Sequence, residues 1–173
     1  MFYFYENKNA LSLKKKQMTN LTDGDIAPDF TAKIEDGSTI SLKGFKGKKK
    51  ILYFYPKDST PGCTANACNF RDHYETLTSK GFVVIGVSIQ GEKSHNKFIT
   101  KNELPFHLIT DEDKVLHEAY GVWGLKKLYG REYMGCMRTT FIIDEEDKLM
   151  HVITKVKTKD ATNQILILMG ITE

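Results

Sequence analysis

Short apolar runs alternate with longer polar, helix-forming stretches through the middle of the chain. Residues 51–55 form an apolar, aromatic-rich run that stops at Pro56, and 82–89 and 106–110 repeat it at strand length. Such runs suit strands buried on both faces. Between them, 63–79 has helical composition and stops at Lys80-Gly81, and 92–102 reads as a helix. Residues 111–120 read as a helix with acidic residues in its first turn.

Two hairpin signals flank this pattern. Residues 29–42 alternate around Asp36-Gly37, and 139–144 and 149–155 run on either side of a polar turn at 145–148. Residues 43–50 read as a polar connection. Residues 121–135 read as irregular, because glycine recurs at 121, 124, 130 and 135. Residues 160–169 read as a closing amphipathic helix with Asp160 as its cap. Strand–helix alternation implies parallel crossovers, and the hairpins add antiparallel strands. The predicted architecture is an α/β thioredoxin-like fold: a central mixed β-sheet flanked by helices, with an N-terminal β-hairpin.

At 173 residues, 40% hydrophobic and 27% charged, the chain has the size and balance of one globular domain, not of a disordered or collagen-like chain. Its longest apolar runs are strand-sized, well short of the roughly 20 residues a membrane-spanning helix needs. The formal charge of +3 resides in residues 1–17, where Lys8, Lys14, Lys15 and Lys16 outnumber Glu6. The remaining basic and acidic residues balance, so 18–173 carry no electrostatic footprint for nucleic acid. The basic cluster at 45–50 reads as solvated surface. Residues 1–17 lack the apolar core of a secretory signal and the arginines of a transit peptide. They read as a mobile basic leader, with Met18 as a native start and 18–173 as the domain. Three cysteines without an export signal point to a reducing, cytoplasmic setting, where paired cysteines are more often catalytic or metal-binding than structural.

The chemistry concentrates in Tyr55-Pro56-Lys57-Asp58-Ser59-Thr60-Pro61-Gly62-Cys63-Thr64-Ala65-Asn66-Ala67-Cys68. A strand delivers the chain to a Pro-Gly turn, and Cys63 falls in the first turn of the helix that Pro61 opens. Unpaired N–H groups and the positive end of the helix dipole stabilise a thiolate there. Ionisation alone adds little rate. Lowering a thiol pKa from about 8.5 to about 6 raises its thiolate fraction roughly 30-fold at pH 7, and lost nucleophilicity removes about tenfold. A fast cysteine enzyme must also stabilise charge developing on its substrate. Candidate donors are the Thr60 hydroxyl, the backbone N–H groups of Gly62 and Cys63, and Arg138, which opens an apolar run far downstream.

Cys136, two residues before Arg138, reads as a buried apolar residue more readily than as a third redox thiol. A zinc site can be drawn from Cys63, Cys68, His73 and Cys136, but these lack the usual short ligand-pair spacings. Tyr53, Phe54 and Tyr55 read as core, and Lys93 and His95 as helix surface. His107, His117 and Trp123 have no spacing that requires function.

The positions Pro56-x-x-x-Thr60-x-x-Cys63 match the peroxiredoxin active-site motif throughout. The longer string from Tyr55 to Thr64, with Cys68, Phe70, Arg71 and Asp72 behind it, resembles the bacterioferritin comigratory protein subgroup, also called PrxQ. The resemblance continues at Gly86-Val87-Ser88, Tyr120-Gly121-Val122-Trp123, Tyr133-Met134-Gly135 and 138–144, and spans about residues 21–170. It implies that Cys63 is the peroxidatic cysteine, that Pro56, Thr60 and Arg138 complete its pocket, and that Cys68 is the resolving cysteine. It further implies reduction of hydrogen peroxide and organic hydroperoxides, with thioredoxin or a thioredoxin-like protein as reductant and no metal or organic cofactor. Asn66 departs from the subgroup, which often has Glu there.

The cysteine spacing has a geometric consequence. Five residues along an α-helix turn by about 140° and rise about 7.5 Å, which separates the Cα atoms by about 8.7 Å against the roughly 7 Å a disulfide tolerates. The first turns must unwind before the sulfurs join. The expected cycle runs from a Cys63 sulfenic acid to an intramolecular Cys63–Cys68 disulfide, which a partner dithiol reduces. Closure within one chain needs no second subunit, so a monomer is expected and a dimer stays open. Two other readings compete. A disulfide reductase or isomerase uses Cys-x-x-Cys, whereas four residues separate these cysteines. A non-enzymatic redox sensor would use the same thiol without rapid turnover.

Overall fold

The apolar run after Lys48 becomes the centre of the sheet. The computed structural model describes residues 19–171; the expected leader at 1–17 and the start at Met18 lie outside the described residues. A short hairpin, β1 (Thr31–Lys33) and β2 (Thr39–Ser41), leads through a 3₁₀ turn (Leu42–Phe45) to β3 (Lys49–Phe54). Then follow α1 (Pro61–Asp72), α2 (Tyr74–Ser79), β4 (Phe82–Ser88), α3 (Glu92–Asn102), β5 (His107–Thr110) and α4 (Val115–Ala119). The chain closes with β6 (Trp123–Leu128), β7 (Arg131–Cys136), β8 (Thr139–Ile143), β9 (Leu149–Ile153) and α5 (Ala161–Leu168).

Five strands form one mixed sheet in the order β5-β4-β3-β8-β9. β3, β4 and β5 are parallel, while β8 runs antiparallel to β3 and β9 antiparallel to β8. Side-chain alternation along β3 divides the core. Ile51, Tyr53 and Tyr55 pack with Phe70, Leu77, Phe98 and Ile165, beneath α1, α2, α3 and α5. Leu52 and Phe54 pack with Leu116, Tyr120 and Phe141, and with Phe30, Ile34 and Leu42 from the N-terminal hairpin region. Both faces are covered, which is why β3 reads as a continuous apolar run. The aromatic trio 53–55 is fully buried core, as its composition predicts. Among the described residues no helix is long and apolar enough to cross a membrane.

Four expectations need correction. Residues 121–135 are not irregular: β6 and β7 pair antiparallel across a two-residue turn, Tyr129-Gly130, with both φ angles positive (48° and 77°). This is the turn chemistry of a tight hairpin without its usual Asn-Gly or Asp-Gly signature. Gly124 and Gly135, which look like breaks, stand opposite each other in the ladder. The helix expected over 63–79 is two, because His73 leaves helical geometry (φ −109°, ψ 15°). The helix expected over 111–120 shrinks to α4, with Asp111 folded back to accept the backbone N–H groups of Leu116 and His117. Asp160 stands at the N-cap of α5, but its side chain makes no capping bond.

Candidate active site

β3 ends at Phe54, and residues 55–60 turn the chain into α1. Pro56 is half-buried directly after the strand, and Pro61 opens the helix at its first position, where a missing N–H costs nothing. Thr60 is the N-cap, and its carbonyl accepts from the Thr64 N–H at 2.8 Å. The N–H groups of Gly62 and Cys63 therefore lie in the first turn, ahead of Thr64, whose N–H is the first to find an acceptor within the helix. Cys63 is buried there, 1% exposed.

Arg138 arrives from the segment between β7 and β8. Its Nη2 donates to Cys63 Sγ at 3.2 Å. Its Nη1 is buried and has no partner among the described residues, which leaves a charged donor beside the sulfur. The role of Gly62 now has a reason that the sequence hides. Its backbone is ordinary, but a Cβ at that position would stand 3.3 Å from Arg138 Nη2. Glycine makes the room in which the guanidinium lies against the helix start.

Thr60 differs from expectation in one respect. Its hydroxyl donates to the Lys57 carbonyl at 2.8 Å, closing its own turn rather than capping the helix. Its proton is committed, and the oxygen's acceptor capacity remains.

Cys68 lies five residues on in the same unbroken helix, half-buried, with its thiol directed to Asn102 Oδ1 of α3 at 3.7 Å. Arg71 strengthens that seam by donating to the Asn102 carbonyl at 2.8 Å. Cys63, Cys68 and Cys136 are all unbonded thiols. Asn66, one turn beyond Cys63, is fully buried, and neither amide atom has a hydrogen-bond partner among the described residues. Burial pushes the Cys136 thiol up to about 12, with Lys126 and Arg138 opposing it weakly. A thiol so placed stays protonated at neutral pH, in keeping with its reading as a small apolar residue.

Behind the turn sits a cluster that sequence reading missed. Asp58 accepts from Tyr55 Oη (2.6 Å), Ser94 Oγ (2.8 Å) and His95 Nδ1 (2.7 Å). Burial pushes its carboxyl up, but the His95 bond and charge, with the two hydroxyl donors, hold it below the usual value. His95 was expected on the helix surface and is fully buried. It lies on the inward stripe of α3 with Phe98, so its i, i+3 spacing from Phe98 was the available signal. Lys50, expected in a solvated basic run, is also fully buried. Its Nζ bonds Asp147 Oδ1 (2.6 Å) and the Asp144 carbonyl (3.0 Å) where the β8–β9 turn folds over it. A buried ammonium persists only with such partners.

This is the arrangement of a thiol peroxidase on a thioredoxin-type sheet, not of a dithiol exchange protein with two residues between its cysteines. The AhpC/TSA family model matches residues 24–152, and the chain belongs to that family. It is 48% identical over 143 residues to peroxiredoxin Bcp of Bacillus subtilis (strain 168), covering 83% of this chain and 91% of that one. It is 40% identical over 149 residues to peroxiredoxin Bcp of Escherichia coli (strain K12), covering 86% and 96%. The structure of Xanthomonas campestris bacterioferritin comigratory protein, described for its alkyl peroxide reduction activity, is similar with a TM-score of 0.76 at 31% identity, covering 82% of this chain and 90% of that one. The chain is thus a peroxiredoxin: its substrate is a peroxide and its electrons come from a thiol reductant.

Proposed function

We propose that Cys63 is the peroxidatic cysteine and Cys68 the resolving cysteine of an intramolecular cycle that reduces hydrogen peroxide and organic hydroperoxides. The observation that carries this reading is the 3.2 Å bond from Arg138 to Cys63 Sγ at the start of a helix. Guanidinium and helix dipole both set positive potential beside the reacting sulfur. In the first step Cys63 sulfur attacks one peroxide oxygen in line and the O–O bond breaks. Sulfur gives up two electrons, a sulfenic acid forms, and the departing oxygen takes a proton to become water or an alcohol. The charge growing on that oxygen is met by Arg138 and by the N–H groups of Gly62 and Cys63. Thr60 contributes an acceptor for the peroxide proton, and Pro56 fixes where the strand yields to the turn.

In the second step the Cys68 thiolate attacks the Cys63 sulfenic sulfur and water leaves, giving the disulfide. Because both cysteines sit on intact α1, this step requires its first turns to open. A dithiol of the thioredoxin kind then returns two electrons by exchange. Resolution inside one chain supports a monomer, and the cycle as written needs no metal or organic cofactor; the setting proposed for it is the cytoplasm.

The test is peroxide consumption coupled to thioredoxin and its reductase. Cys63→Ser should abolish turnover. Cys68→Ser should consume about one equivalent and then stall with this reductant. Sustained turnover by Cys63→Ser would overturn the assignment.

A further inference from the structure

We propose that Asp58 and His95 are positioning residues for peroxide cleavage, an acid–imidazole pair that fixes the turn bearing Pro56 and Thr60 against α3. The inference rests on the reading of Cys63 as the reacting thiol and adds to it what holds the pocket around that thiol.

Beyond the Tyr55 N–H bond to the Val87 carbonyl and the Thr60 hydroxyl bond to Lys57, side-chain bonds hold this turn. Between the end of β3 and the start of α1, residues 55–60 belong to no strand or helix. Within it Ser59 adopts φ 62°, a region that a residue with a Cβ occupies only when its surroundings over-determine it. Those surroundings are the bonds of Asp58, its immediate neighbour. The Asp58 backbone N–H donates to Gln90 Oε1 at 2.7 Å, tying the turn to the loop after β4. Its carboxylate collects the Tyr55 and Ser94 hydroxyls and His95 Nδ1. His95 in turn reaches the Ile109 carbonyl of β5 through Nε2 at 3.0 Å. The His95 side chain is 0% exposed and that of Asp58 is 2% exposed. Asp58 is therefore tied within the turn to Tyr55, directly to α3 and the β4–α3 loop, and through His95 to β5.

The position matters because Thr60 is two residues further on and Cys63 five. Thr60 hydroxyl and carbonyl also hold, respectively, Lys57 and Thr64. A shift of Asp58 therefore passes to the helix start and to the donors around the sulfur. The pair touches neither sulfur nor substrate. On the far side, Cys68 meets Asn102 through one weak sulfur contact beside the Arg71 bond, and Asn69 ties the helix to Lys159 and Thr162. The turn ahead of the helix is thus the fixed part, and the first turns of α1 are the part that opens for disulfide closure.

The test separates geometry from thiol ionisation. In a Cys68→Ser, Cys136→Ala background, two rates of Cys63 are measured: single-turnover oxidation by hydrogen peroxide and alkylation by iodoacetamide. Alkylation needs the thiolate but not the oxygen-binding donors. Asp58→Asn and His95→Gln should slow oxidation by about 10²-fold, the scale of an ångström of misplacement, and change alkylation by less than about threefold. Unchanged oxidation in folded variants overturns the proposal, as does a parallel fall in both rates. Should those variants fail to fold, Tyr55→Phe and Ser94→Ala each delete one donor to Asp58. A several-fold loss confined to oxidation supports the proposal, and no selective loss in either overturns it. Cys63→Ser is the control for the underlying reading: if it still consumes peroxide, that reading falls and this one with it.

Discussion

Arg138 lies in the space that Gly62 leaves: the guanidinium nitrogen that bonds Cys63 Sγ would stand 3.3 Å from a Cβ at position 62. Three residues far apart in role, a glycine, a cysteine and an arginine, are therefore one packing unit. Gly62→Ala suits the helix better on propensity alone, yet it pushes the guanidinium by a few tenths of an ångström. Oxidation of Cys63 by peroxide should slow by about 3–10-fold, scaled down from the effect of a full ångström, while thermal stability holds or rises. Stopped-flow oxidation beside a melting curve checks both. Equal rates for the two proteins would show that Arg138 yields without consequence.

Arg138→Lys keeps the charge but loses the fork. One ammonium cannot hold the sulfur and offer a second fixed donor to the leaving oxygen as Nη1 and Nη2 can. The rate of Cys63 oxidation should fall by about 10²–10³-fold, as when one donor of an oxyanion site is removed. A loss under threefold in a folded variant would mean that the guanidinium only packs against the helix.

The legible parts of this molecule are those in which local chemistry determines local structure. The run at 51–55, the Pro61 helix start and the Asp36-Gly37 turn each follow from nearby residues, and the structure forms all three. The fold class followed because the apolar runs alternate with helices. What the sequence concealed depends on residues brought together from afar. Lys50 looks like one lysine in a basic run until the β8–β9 turn places Asp147 upon it. His95 looks like surface until Asp58, 37 positions earlier, turns inward to meet it. Arg138 was a candidate donor because it opens a downstream apolar run, but its contact with Cys63 spans 75 positions and is fixed by β3 pairing with β8. The β6–β7 hairpin was lost for a local reason, since Tyr129 occupies the left-handed turn position where Asn or Asp would have signalled it.

Asn66→Leu should make the helix harder to open. Asn66 is fully buried one turn after Cys63, and both amide atoms lack partners among the described residues. A buried polar group left unbonded costs about 1–3 kcal/mol, and an apolar side chain of similar shape does not incur that cost. Asn66→Leu should raise the melting temperature of the reduced protein and slow Cys63–Cys68 closure several-fold. The sulfenic acid then lives longer, and more of it is driven to sulfinic acid by excess peroxide. Mass spectrometry of the oxidised protein measures this directly. Faster closure, or less sulfinic acid than in the parent, would contradict the role given to the amide.

Acid should loosen the molecule at two buried carboxylates. Burial raises the Asp58 carboxyl, but His95, Tyr55 and Ser94 outweigh it. Burial likewise raises Asp111, and His117 with two backbone N–H groups outweighs it. Both therefore titrate below their ordinary value of 3.8. A carboxyl depressed on folding contributes stability that is complete well above 3.8 and is lost as pH falls through that value toward the lower folded one. The urea midpoint should therefore be insensitive to these two groups from pH 7 to about 5 and decline below about 4. Asp58→Asn and Asp111→Asn should each be less stable at neutral pH, because an uncharged amide with one acceptor oxygen cannot take the three donors that each carboxylate holds. Each should also show a shallower decline in acid than the parent. An acid limb of undiminished slope in both variants would place the acid-labile groups elsewhere in the chain.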